Sequence, residues 1–244
     1  METNYAIQVK NLSKRFGDFT AVNAITFKVK KGEIFGFLGA NGAGKTTAMK
    51  MLIGISKPSE GAAQVAGFDV TTQSEAVKKS IGYMSQRFSL YDDLTIVENI
   101  AFYGGIYGLT KEKIKEKTAL LIDELGLHDK ASNLVRSLPL GWKQKVAFSV
   151  ALLHEPKIVF LDEPTGGVDP ITRRQFWEMM YREATKGTTI FVTTHYMDEA
   201  EYCDRVSIMV EGKIEALDSP KKLKTEFNVD SMNEVFLKLA RNIE

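Results

Sequence analysis

Near its start the chain alternates apolar and polar positions, with Tyr5, Ile7 and Val9 on one face and Gln8 and Lys10 on the other. A period of two marks a strand with one buried and one wetted side. Segments 24–29 and 64–66 read the same way, and the three together predict an antiparallel sheet. From Glu33 the pattern changes to short, nearly unbroken apolar runs at 34–38, 158–161 and 190–192, each followed by a helical stretch. Strands apolar on both faces, alternating with helices, predict a covered parallel sheet of α/β type. Between Gln86 and Gly141 helical spacing takes over. Thr95 and Glu98 are spaced as a capping box ahead of Ile96, Val97 and Ile100. Ile114, Thr118, Leu121, Ile122 and Leu125 then recur at steps of three and four and stop at Gly126, a residue suited to ending a helix. This region reads as a helical insertion. Segments 206–210 and 213–217, joined by Glu211-Gly212, predict a hairpin, and a charged helix follows with Val235, Phe236 and Leu239 on one face.

Composition narrows this picture without redirecting it. The 244 residues, 44% hydrophobic and 26% charged, allow one large folded domain or two small ones. Lys and Arg number 32 against 31 Asp and Glu, so no basic excess points to a nucleic-acid partner, and none is expected. Cys203 is the only cysteine, which excludes an internal disulfide and fits a reducing compartment. Residues 1–5 lack the basic and apolar regions of a secretory signal. The most apolar runs, 147–153 and 158–161, fall far short of the roughly 18 to 20 residues of a spanning helix, so no membrane crossing is expected.

Candidate chemistry begins with Gly39-Ala40-Asn41-Gly42-Ala43-Gly44-Lys45-Thr46, which fits the phosphate-loop pattern G-x-x-x-x-G-K-[ST]. At average residue usage that pattern arises by chance in roughly one chain in a hundred. Here it also lies between a predicted buried strand (34–38) and a predicted helix (47–54), as a phosphate loop requires. Its glycines let backbone N–H groups converge on phosphate oxygens, and the helix N-terminus adds a favourable partial charge. Lys45 would bring a point charge to the same oxygens, the Thr46 hydroxyl would face Mg2+, and Thr47 continues the binding segment. The apolar run 158–161 ends in Asp162-Glu163-Pro164, two carboxylates at the sheet edge where open α/β sheets bind ligands. Asp162 is the expected Mg2+ residue and Glu163 the one that polarises an attacking water. His195, after 190–192, and Gln86, after 81–84, end apolar runs in the same way. His195 is placed toward the terminal phosphate, and Gln86 within reach of both metal and water.

In this order the motifs resemble the nucleotide-binding domain of ATP-binding cassette (ABC) transporters over essentially the whole chain. The resemblance implies a P-loop NTPase core with a mostly parallel sheet, an antiparallel β subdomain and a helical subdomain. On this view 1–244 is a single ATP-binding domain, with the helical subdomain at about 87–150 and the final hairpin and helix at about 206–244. It implies ATP and Mg2+ as ligands and assigns Phe16 to the aromatic position that stacks on adenine. It also implies a dimer, with itself or with another ATPase subunit, closing head to tail around two ATP molecules. In such a dimer Leu138, Pro139, Leu140, Gly141 and Asp169 meet the opposite site. The signature loop departs from the family: Leu-Ser-Gly-Gly-Gln is usual, whereas Leu138-Pro139-Leu140-Gly141-Trp142 stands here. Pro139 removes a hydroxyl and an N–H while suiting the first turn of a helix. The loop and the segment Thr193-Thr194-His195-Tyr196-Met197-Asp198-Glu199-Ala200 are similar to ATPase subunits of bacterial multidrug exporters of the daunorubicin-resistance kind.

The expected role is therefore ATP hydrolysis beside separate membrane-spanning permease subunits, at the cytoplasmic face of the inner membrane. Two rivals remain: a soluble ABC ATPase acting on ribosomes or DNA, and a regulatory module that holds ATP without hydrolysing it. Phe88, Tyr91, Phe102, Tyr103 and Tyr107 are read mainly as core of the helical lobe, with the alternative that they line the groove for a membrane subunit. Cys203 and His154 are read as structural.

Overall fold

The structure, a computed structural model, describes residues 4–86 and 90–241. A long hairpin of β1 (Tyr5–Phe16) and β2 (Phe19–Lys30) leads to β3 (Ile34–Gly39) and α1 (Lys45–Leu52). β4 (Glu60–Val65), β5 (Phe68–Asp69), α2 (Ser74–Ser80) and β6 (Ile81–Met84) follow. The helical region holds α3 (Ile96–Ile106), α4 (Lys111–Leu125) and α5 (Leu140–Ala151). The chain then returns through β7 (Ile158–Asp162), α6 (Pro170–Thr185), β8 (Thr189–Thr194), β9 (Arg205–Val210) and β10 (Lys213–Asp218) to α7 (Pro220–Glu226) and α8 (Met232–Arg241).

Among the described residues the strands form two sheets, one ordered β2-β1-β4-β5 and antiparallel, the other ordered β10-β9-β3-β8-β7-β6. In the second, β6, β7, β8, β3 and β9 run parallel and only β10 is antiparallel. Alternation along its strands divides the core in two. Ile34, Leu38, Val159, Leu161, Ile190, Val192, Val206 and Ile208 pack toward α5, α6 and α8. Phe35, Phe37, Ile158, Phe160, Phe191 and Met209 pack toward α1 and the antiparallel sheet. Both faces are covered, which is why these strands read as unbroken apolar runs.

The helical region follows its sequence signals closely. The Thr95 side chain accepts from the Glu98 N–H while the Glu98 carboxylate accepts from the Thr95 N–H, a closed capping box at the start of α3. α4 ends at Gly126 with φ 62. The elements that periodicity did not predict are α2, β5 and α7; α2 is seven residues long and buries only Val77. The aromatic cluster divides: Tyr91 and Phe102 are exposed, Tyr103 and Tyr107 pack against the core, and Phe88 lies outside the described residues. No described helix is long and apolar enough to cross a membrane.

Candidate functional site

β3 and α1 are joined by the phosphate loop at the edge of the six-stranded sheet. Gly44 caps α1 at φ 103, where a Cβ would stand 2.3 Å from the Ala21 carbonyl, so both backbone and space demand glycine. Lys45 is 4% exposed. Its Nζ donates to the carbonyls of Gly39 (2.9 Å) and Ala40 (3.1 Å) and lies 3.4 Å from Glu163 Oε1. A cleft of about 340 Å³ opens beside the loop, lined by Phe19, Ala21, Asn41, Gly42, Gly44, Lys45, Thr46, Thr47, Gln86 and Glu163.

Parallel register brings the other motif residues to the same edge. Asp162 pairs with Thr193 across β7 and β8, and Leu38 pairs with Thr194 across β3 and β8. Residues just past these strand ends therefore emerge together. Asp162 is 2% exposed and accepts from the hydroxyls of Thr193 (2.6 Å) and Thr46 (3.4 Å). Burial pushes its carboxyl above the usual aspartate range, opposed by the Thr193 hydroxyl. Glu163 is held at φ 48, in the left-handed region, by an N–H shared between the Thr193 carbonyl (3.1 Å) and hydroxyl (3.0 Å). Its Oε2 accepts from Gln86 Nε2 at 2.9 Å and lies 3.1 Å from His195 Nδ1. Lys45, Gln86 and His195 thus converge on a single carboxylate.

A divalent cation suits this corner. Asp162 is a buried carboxylate contacted by hydroxyls, with no ion pair to a cation among the described residues. No group of three or more His, Cys, Asp or Glu side chains poised to hold a metal exists among the described residues. Mg2+ matches such a sparse set because it takes one or two protein oxygens and draws the rest from phosphates and water.

The signature segment lies beside this edge, where Leu140 and Gln144 line a cleft of about 190 Å³ together with Gln86 and Glu163. Pro139 is the N-cap of α5, with φ −55 and ψ 150, and its carbonyl accepts from the N–H groups of Trp142 and Lys143. No side chain caps this helix. Gly141 packs against α6 so closely that a Cβ would sit 2.3 Å from Thr172 Cγ2. Leu140 is exposed, and Leu138 is buried in the core. Asp169 spends its carboxylate in its own chain, accepting from the N–H groups of Ile171 and Thr172 and from the Thr172 hydroxyl. The hydroxyl bond chiefly holds that carboxyl below its usual range.

Phe16 is 55% exposed and pairs across the hairpin with Phe19, so it is not a core aromatic. Phe19, which the motif pattern did not single out, is the aromatic that lines the phosphate-loop cleft. Thr193 also escaped the sequence reading as a functional residue. A cavity of about 560 Å³ between α4, α5 and α6 holds no motif residue, and rim ion pairs such as Lys117–Glu155 and Lys186–Glu183 neutralise its charges. His154 stacks on Tyr107 and lies 3.0 Å from the Ile81 carbonyl, and Cys203 is buried, both in structural settings.

The comparisons with known proteins agree with this architecture. The family described as ABC transporter matches residues 22–166. A probable multidrug ABC transporter ATP-binding protein, YbhF of Escherichia coli K12, is 46% identical over 97% of this chain, which spans 42% of that relative's length. The linearmycin resistance ATP-binding protein LnrL of Bacillus subtilis 168 is 34% identical over 97% of this chain and 79% of its own. A solved structure of an ATP-binding subunit of an ABC transporter superposes with a TM-score of 0.86 at 29% identity, covering 96% of this chain and 99% of the other. The chain is thus an ATP-binding domain of the ABC transporter family.

Proposed function

We propose that the chain hydrolyses ATP and that this drives separate membrane-spanning subunits of an exporter, from the cytoplasmic side of the membrane. The observation that carries the chemistry is the convergence of Lys45, Gln86 and His195 on Glu163, within 3.4 Å, 2.9 Å and 3.1 Å. With ATP in the cleft, phosphate oxygens compete with Glu163 for the Lys45 ammonium, and a carboxylate released from that pair is free to act on water. Glu163 then orients the water for in-line attack on the γ-phosphorus and accepts its proton as the bond to ADP breaks. Gln86 and His195 hold the carboxylate and the water in line. Thr46, Asp162 and Gln86 are the residues that would hold Mg2+, whose chemistry there is to neutralise charge on the phosphate oxygens.

Export as the coupled process rests on the relatives, one named for multidrug transport and one for linearmycin resistance. The exposed Tyr91 and Phe102 on and beside α3, in edge contact at 4.8 Å, offer an apolar surface for a membrane subunit. The exposed Leu140 and the half-buried Gly141 at the start of α5 are read as the face that closes over the ATP of a second cassette, the same chain or another. The uncapped Pro139 favours a partner that carries a regular signature. Glu163→Gln tests the chemistry: steady-state phosphate release falls about 10² to 10⁴-fold while ATP binding persists. Unchanged release by that variant rejects the assignment.

A further inference from the structure

Behind the catalytic edge lies a buried carboxylate that the hydrolytic chemistry does not use. Glu199, in the short helical turn Met197–Tyr202, is 0% exposed. Its Oε1 accepts from the Thr165 hydroxyl at 2.5 Å and lies 3.6 Å from Arg173 Nε. Thr165 is also buried and stands two residues beyond Glu163. Arg173, on α6, stacks its guanidinium 4.4 Å from the Tyr196 ring centroid and donates to Asp198 Oδ2 at 3.3 Å. Tyr196 follows His195, and their rings lie 4.1 Å apart. One buried side chain therefore ties the loop carrying Glu163 to the loop carrying His195, and Arg173 braces the second loop from the helix.

A carboxylate withdrawn from water is costly unless charge and hydrogen bonds compensate it; Glu199 receives both at Oε1, from Arg173 and Thr165, while its buried Oε2 has no hydrogen-bond partner among the described residues. Such a contact resists displacement, because shifting either loop strands a buried charge. The tips of these loops are the groups whose separation, 3.1 Å from His195 Nδ1 to Glu163 Oε2, has to be held for water to be aligned. We propose that Glu199 is a positioning residue that sets the spacing of His195 from Glu163 through Thr165 and Arg173. It never touches nucleotide. The proposal rests on the catalytic reading of Glu163 and His195.

The test uses the full chain and Thr165→Val, which keeps the volume and deletes the hydroxyl. The expected result is a fall in kcat for ATP of about tenfold or more, with KM within about twofold, since misplacement costs rate rather than binding. Thr165→Ser restores the rate, and the effect of Thr165→Val disappears in a His195→Ala background. The chain has 3 histidines, so ring NMR signals read the position directly without nucleotide. The His195 signals move in Thr165→Val, and those of His128 and His154 stay. Arg173→Gln, at a partly exposed site, gives the same pattern and serves if the buried variant fails to fold. Wild-type kcat with unmoved His195 signals overturns the proposal. So does a joint loss of kcat, ATP affinity and thermal stability that persists in His195→Ala. Should Glu163→Gln retain full turnover, the catalytic reading itself fails, an outcome separate from a silent Thr165→Val.

Discussion

Glu163 at φ 48 occupies a conformation that costs an ordinary residue on the order of 1–2 kcal/mol, and it persists because Thr193 binds its N–H through both carbonyl and hydroxyl. The same hydroxyl lies 2.6 Å from Asp162, so one threonine fixes the backbone of the first carboxylate and the side chain of the second. At position 139 the opposite situation holds: the N-cap of α5 has no side-chain acceptor. Restoring the family serine there, Pro139→Ser, returns a hydroxyl worth roughly 1.5–3 kcal/mol if it reaches a phosphate. The expected outcome is about a tenfold or greater rise in steady-state phosphate release from the purified chain, and an unchanged rate rejects the role given to that loop. Lys45, Asp162, Glu163 and His195 were legible in the sequence because each sits in a glycine pattern or ends an apolar run. Thr193 and Glu199 were not, because their partners are set by inter-strand register and loop return, which no local pattern encodes.

Among the elements, α3 has the strongest local code and also a tertiary one. Asn99, fully buried, accepts from the Tyr91 N–H and donates through Nδ2 to the carbonyls of Tyr91, Leu94 and Thr95. It pins the turn at residues 91–95 that leads into the helix. Asn99→Ala leaves those groups unsatisfied and is expected to lower unfolding free energy by about 1–3 kcal/mol, measured by denaturant titration. An unaltered midpoint contradicts this account of the loop. α3 and α4 were readable because each is long enough to show its period and carries a cap. α2 was not, with one buried residue in seven.

For the molecule as a whole, the two core layers share one sheet, so ligand binding at its edge is expected to stabilise both together. ATP at one hundred times its dissociation constant contributes about 2.7 kcal/mol, or roughly 5–10 °C in Tm for a chain of this size. Lys45→Ala should abolish most of that shift in thermal denaturation, and a full shift would argue against the phosphate loop as the binding site. Sheet order adds a constraint of another kind. The strand that carries the phosphate loop, β3, is flanked by β8 and β9, both drawn from beyond residue 188. During synthesis, residues 39–46 leave the ribosome long before either neighbour exists. The nascent chain thus carries this loop on a strand whose two neighbours are still unmade, and its edges stay open to wrong pairings until translation has passed Val210.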